Sequence, residues 1–123
     1  MARLLFLDDD NLTLQLMGKI ATRIGHEAIT CDSVQDARRA LQEHHPDILL
    51  IDLSLKEMSG LSFIRELREI PEFTRTPMVV VSAGSTLQDE SDALAAGASG
   101  YILKPVGPDA LLGIIKKYTQ PKN

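Results

Sequence analysis

The stretch Asp47–Gly60, DILLIDLSLKEMSG, decides the fold. Ile48-Leu49-Leu50-Ile51 is a bulky apolar run with no polar alternation. Such a run suits a strand covered on both faces, as in a parallel sheet. It ends on Asp52. A carboxylate is thereby expected at the C-terminal edge of a buried strand, where open α/β sheets build their sites. The plainer alternative is an aspartate that only caps a turn.

Three other runs end in the same manner. Leu4-Leu5-Phe6-Leu7 runs into Asp8-Asp9-Asp10, Met78-Val79-Val80-Val81 into Ser82, and Gly100-Tyr101-Ile102-Leu103 into Lys104-Pro105. In a parallel sheet these carboxylates, hydroxyl and ammonium meet on one edge. Helical patterns separate the strands, so alternating βα units are expected. Asn11–Ile24 carries Leu12, Leu16 and Ile20, with Met17 and Ile24, at helical spacing. Asp10 or Asn11 can cap it, and Gly25 can close it. His26–Thr30 is a short strand candidate. Ser33 then starts a helix with Val34, Ala37 and Leu41 as its buried stripe. Ser59-Gly60 opens a helix carrying Leu61, Ile64 and Leu67, and Pro71 ends it. Thr86–Ala96 is expected to be a helix closed by Gly97. Pro108–Tyr118 carries Leu111, Ile114, Ile115 and Tyr118 at i, i+3, i+4, i+7.

Composition narrows the function classes. At 123 residues, 44% of them hydrophobic, the chain is expected to be one globular domain over 1–123. The formal charge of −4 argues against a nucleic-acid surface. No apolar run reaches the roughly 18–20 residues of a membrane span, and no secretory leader is visible, so a cytoplasmic location is expected. Cys31 is the single cysteine and is read as a packed residue near a strand end. His44 and His45 are adjacent, point to different faces and suit a helix end better than a metal.

The acidic cluster Asp8-Asp9-Asp10, DLSLKEMSG from Asp52, VVVSA around Ser82 and AAGASGYILKP ending at Pro105 together resemble the receiver domain of two-component response regulators. The resemblance covers nearly the whole chain, in order and in rough spacing. It implies a doubly wound five-stranded parallel sheet, flavodoxin-like, in strand order 2-1-3-4-5. It implies that Asp52 accepts a phosphoryl group from a sensor histidine kinase or phosphotransfer protein. Mg²⁺ takes hard oxygen ligands, and two of the three clustered carboxylates, with Asp52 and the Ser54 carbonyl, are candidate ligands. The family pattern assigns that pair to Asp8 and Asp9 and leaves Asp10 at the helix start. Three crowded carboxylates repel one another unless a cation is present, which favours a metal over simple capping.

Lys104 supplies a point charge for a phosphate oxygen, and Ser82 a hydroxyl donor. By resemblance, Ser82, Ala83 and Tyr101 form the switch, and Pro105 is a cis-proline candidate. The output that the resemblance implies is altered binding of a downstream protein, not identified by the sequence, through the last two helices and last strand. The resemblance also implies that the receiver itself catalyses its phosphorylation and the hydrolysis of the product. No output domain is expected within this chain, which is read either as a stand-alone receiver or as a piece of a longer regulator, with Gln120–Asn123 the candidate start of a linker. Lys56 stands where the family usually has proline, which is expected to loosen the loop, and Val106 replaces a frequent aromatic. Ser54 is close enough to Asp52 to affect the phosphoryl lifetime.

Two other classes compete. Asp8–Thr13 is similar to the D-x-D-x-T/V loop of haloacid-dehalogenase-like phosphohydrolases, except that Leu12 sits where Thr or Val belongs. That reading uses Asp8 as nucleophile and leaves Asp52 without a task. The third class is a receiver-fold binding module that ignores phosphate.

Overall fold

The computed structural model describes residues 1–84 and 87–119. Five strands alternate with five helices: β1 Arg3–Leu7, α1 Asn11–Arg23, β2 Glu27–Cys31, α2 Val34–Glu43, β3 Ile48–Asp52, α3 Gly60–Arg68, β4 Met78–Ser82, α4 Leu87–Ala96, β5 Gly100–Leu103 and α5 Pro108–Thr119. A 3₁₀ turn, Pro71–Phe73, follows α3. All strand pairs are parallel, in the order β2-β1-β3-β4-β5. The expected doubly wound 2-1-3-4-5 sheet is therefore the observed one.

Side chains alternate across a strand, so the central strands feed two cores. Leu5 and Leu7, Leu49 and Ile51, and Met78 and Val80 pack with Val34, Phe63 and Ala93, on the side of α2, α3 and α4. Leu4 and Phe6, Ile48 and Leu50, and Val79 and Val81 pack with Met17, Leu111 and Ile115, on the side of α1 and α5. Every residue of β3 and β4 is buried, which explains their unbroken apolar runs. Cys31 closes β2 as a buried residue, and burial pushes its thiol up to about 11.

Most helix boundaries follow local chemistry. Asp10 caps α1, its carboxylate accepting from the Leu12 N–H and the Thr13 hydroxyl. Ser33 caps α2 and Ser59 caps α3. Gly25 and Gly97 both carry positive φ, as helix-closing residues do. β2 lies one residue later than His26–Thr30. The α3 helix stops at Arg68, before Pro71, because the residue ahead of a proline leaves the helical region. Ser85, Thr86 and Gln120–Asn123, which the expected switch loop, fourth helix and linker include, lie outside the described residues.

The buried stripe of α1 differs from the expected one. Leu14, Met17 and Ala21 face the sheet, whereas Leu12 is 74% and Leu16 53% exposed. Apolar residues at 12/16/20 and at 14/17/21 define two overlapping stripes, and spacing alone does not choose between them. The Asp10 cap fixes the phase at one end. At the other, the Ala21 carbonyl accepts from the His26 N–H.

Candidate functional site

Parallel register brings the C-terminal ends of β1, β3, β4 and β5 to one edge. Beyond the last β1–β2 pair, the Asp8 N–H donates to the Cys31 carbonyl at 3.1 Å. Asp52 is the last residue of β3, beside Val81. The Lys104 N–H donates to the Ser82 carbonyl at 2.7 Å, so these two residues stand side by side. The Lys104–Pro105 peptide bond is cis.

The side chains converge. Lys104 Nζ lies 2.8 Å from Asp8 Oδ2 and 3.6 Å from Asp52 Oδ2. Asp8 Oδ1 accepts the Asp10 N–H at 2.9 Å, and Asp52 Oδ1 accepts the Ser54 N–H at 3.3 Å. Ligand oxygens of Asp8, Asp9 and Asp52 fall within 4.8 Å of one another. Asp8 is 6% and Asp52 7% exposed. Two of the three clustered carboxylates, Asp8 and Asp52, share one ammonium, which leaves a local excess of negative charge. Burial, and then the Asp8 charge, raise the Asp52 carboxyl above its ordinary value despite Lys104. Burial alone would lower Lys104, but the Asp8 hydrogen bond and the charges of Asp52 and Asp8 outweigh it and raise it. An all-oxygen, negatively charged, half-enclosed donor set fits a hard divalent cation.

Asp10 faces outward as the α1 cap, apart from the cluster of three. Ser82 is buried at the end of β4, and its hydroxyl donates to the Gly84 carbonyl at 2.5 Å. Tyr101 Oη donates to the same carbonyl at 2.8 Å. Ala83 is exposed between them. Val106 is buried in the α1/α5 core, so this smaller residue still fills an apolar position.

Other contributors were not legible as such. Glu57, in the loop after Asp52, accepts the Val34 N–H at 3.3 Å and so sits at the N-terminal end of α2. Gly60 donates its N–H to the Leu53 carbonyl at 2.8 Å, and Ser54 bridges Ser59. These bonds close the loop without a proline at position 56. A Cβ on Gly60 would overlap the Asp52 carbonyl oxygen. A glycine set directly behind a helix cap was the available clue to that close approach.

No helix among the described residues is long and apolar enough to cross a membrane. Residues 4–116 match the family described as response regulator receiver domain. The polar-differentiation response regulator DivK of Brucella ovis is 31% identical over 93% of each chain. The two-component response regulator PhoP of Pseudomonas aeruginosa is 40% identical over 84% of this chain and 45% of its own length. The chemotaxis protein CheY4 of Vibrio cholerae superposes with a TM-score of 0.90, covering 96% of this chain and 98% of that one. At 24% identity, that last likeness is one of fold.

Proposed function

We propose, on the premise that this chain belongs to the response regulator receiver family of two-component systems, that Asp52 is its phosphoryl acceptor and Mg²⁺ its metal. The observation that carries the reading is one ammonium, Lys104, lying against both Asp8 and Asp52, with Asp9 completing an oxygen cluster. An Asp52 oxygen attacks the phosphorus of a phosphohistidine donor, the P–N bond breaks, and its electrons leave with the imidazole. Lys104 holds a phosphoryl oxygen as a point charge. Asp8, Asp9, Asp52 and the Ser54 carbonyl hold the Mg²⁺, which offsets the charge of two anionic groups brought together. A histidine kinase or phosphotransfer protein supplies the phosphoryl group, and cytoplasm is the compartment this reading favours. The haloacid-dehalogenase reading gives Asp52 no role, and the binding-module reading gives none to the Asp8–Lys104–Asp52 set. Incubation with acetyl phosphate and Mg²⁺ should add one phosphoryl group to the intact chain. No label, with the fold intact, would overturn the proposal.

Mg²⁺ should also stabilise the fold. The folded state holds the Asp52 proton more tightly than the unfolded chain does, because burial and Asp8 raise its pKa. The stabilisation that protonation contributes is therefore full below the ordinary value of 3.8 and is lost as pH climbs from there through the raised value. A cation among the three clustered carboxylates relieves their mutual repulsion. At ten times its dissociation constant, a ligand adds about 1.4 kcal/mol. For a domain this size that is a rise of roughly 5 °C in melting temperature. The rise should shrink in acid, where protons compete for Asp52. In Asp9→Ala it should nearly vanish; an unchanged Mg²⁺ affinity in that variant would remove Asp9 from the ligand set.

Ser82 is proposed as the residue that reads the phosphoryl group. It has one proton, committed at present to the Gly84 carbonyl. Turning to a phosphoryl oxygen exchanges a neutral hydrogen bond, worth roughly 1 kcal/mol, for a charged one of about 1.5–3 kcal/mol. The net gain of roughly 1 kcal/mol shifts a two-state equilibrium about fivefold. The Gly84 carbonyl is then left to Tyr101 alone, which frees that segment and the ring to rearrange. Ser82→Ala should still be labelled by acetyl phosphate. Its amide shift changes around Tyr101 should fall well short of those of the unaltered chain, and a full response would exclude Ser82 from the coupling.

A further inference from the structure

Arg68, the last residue of α3, is an unusual cation. Its guanidinium is bonded to neutral oxygens, with no carboxylate in an ion pair with it among the described residues. Nε donates to the Gly97 carbonyl at 2.9 Å. Nη1 donates to the carbonyls of Phe73 and Thr76 at 2.7 and 2.8 Å. Nη2 reaches Ser99 Oγ at 3.4 Å. Burial lowers its pKa. One side chain thus ties the end of α3, the α3–β4 connector, the end of α4 and the entry to β5. A positive charge held by three backbone carbonyls is a strong, directional fastening.

The bond to Gly97 has a specific setting. Helix α4 has no basic residue in its last turn, so its negative end receives its cation from α3. Gly97 takes φ +110°, and a Cβ there would come within 2.9 Å of Arg68 Cγ, so the chain rests directly on the arginine stem. Ser99, two residues on, is held as firmly. Its N–H donates to the Met78 carbonyl at 2.7 Å, its Oγ accepts the Met78 N–H at 3.1 Å, and its carbonyl accepts the Tyr118 hydroxyl at 3.0 Å. These bonds lie where β4 and β5 begin. Ser82 and Lys104 lie where those strands end, at the opposite edge of the sheet.

We propose that Arg68 is a positioning residue of the switch: it fastens the C-terminal end of α4 at Gly97, so that a rearrangement at Ser82–Gly84 tilts α4 about that end instead of sliding it. The inference rests on the Ser82 reading above. Displacement of a rigid rod about a fixed end grows with distance from it. The first turn of α4, nearest in sequence to Gly84, therefore moves most. The output face changes its angle, while the entry to β5 stays in place.

The test uses beryllofluoride, a phosphoryl mimic, with Mg²⁺ on the isotope-labelled chain. Amide shifts and residual dipolar couplings are followed along α4. In the unaltered chain, the Asp89–Asp92 amides should respond, and those of Gly97–Ser99 should stay within the spread of β1. In Arg68→Lys, which keeps the charge but cannot form the same fork, Gly97–Ser99 should begin to respond. Acetyl phosphate labelling of Asp52 should be unchanged in that variant. Arg68→Met is the harsher variant, and Arg68→Lys keeps the test alive if it fails to fold. Equal responses along α4 in the unaltered chain, or an unaltered pattern in Arg68→Lys, would overturn the pivot alone. Absence of any response, at Ser54 included, would remove the reading of the site and the pivot with it.

Discussion

Asp52→Asn should reduce phosphoryl labelling by acetyl phosphate below detection and, at the same time, make the metal-free protein more stable. Both effects come from one carboxylate. The amide keeps the shape and the bond from the Ser54 N–H, but it is a poor nucleophile. The gain in stability follows from the sign of the pKa shift. A carboxyl raised by burial and by Asp8 is one whose charge the fold disfavours, even with Lys104 beside it. Removing that charge should raise the melting temperature of the metal-free protein. The Mg²⁺-induced rise should shrink in parallel. A label that survives in Asp52→Asn and disappears in Asp8→Asn would move the acceptor to Asp8 and restore the phosphohydrolase reading.

Gly60→Ala should be among the most damaging single substitutions in the chain. Its added Cβ would overlap the Asp52 carbonyl oxygen and press on Ile51 Cγ2, 3.2 Å away. Neither neighbour can swing aside, because β3 is buried between its partners. The N-terminus of α3 must therefore back away, weakening the bond from the Gly60 N–H to the Leu53 carbonyl. Overpacking and the lost hydrogen bond together cost about 2–4 kcal/mol. In a domain of this size that lowers the melting temperature by roughly 10 °C. The acceptor is displaced with it, so labelling should slow as well. Gly113→Ala, in α5 with nothing within 4 Å of its added Cβ, is the matched control. It should be neutral or stabilising by up to about 1 kcal/mol. Equal melting temperatures for the two variants would show that β3 and α3 are not held at this contact.

The sheet and its edge were legible because their chemistry is local to each strand. An unbroken apolar run states that both faces are covered, and the residue that follows it states what the edge carries. Asp8, Asp52, Ser82 and Lys104 could each be located in that way. The phase of α1 could not, since two apolar stripes overlap in Asn11–Arg23 and only the cap and the Ala21–His26 bond select one. Arg68 was equally opaque. Its partners are backbone carbonyls, which every residue has, so no pattern of side chains announces them. Gly60 and Glu57 act on groups that chain reversal brings near, and the geometry of the loop decides which groups those are.

The two hydroxyls that meet at the Gly84 carbonyl make the proposed switch a matter of reciprocity. Ser82 cannot serve the loop and a phosphoryl oxygen with the same proton. On that proposal, any protein that captures the rearranged Tyr101 face would select the state in which Ser82 has already left Gly84. By linkage, the factor by which phosphorylation tightens such a partner is also the factor by which the partner favours the phosphorylated form. A downstream target would then be more than a recipient of the message: by occupying that face it would hold the message in place for as long as it stays bound.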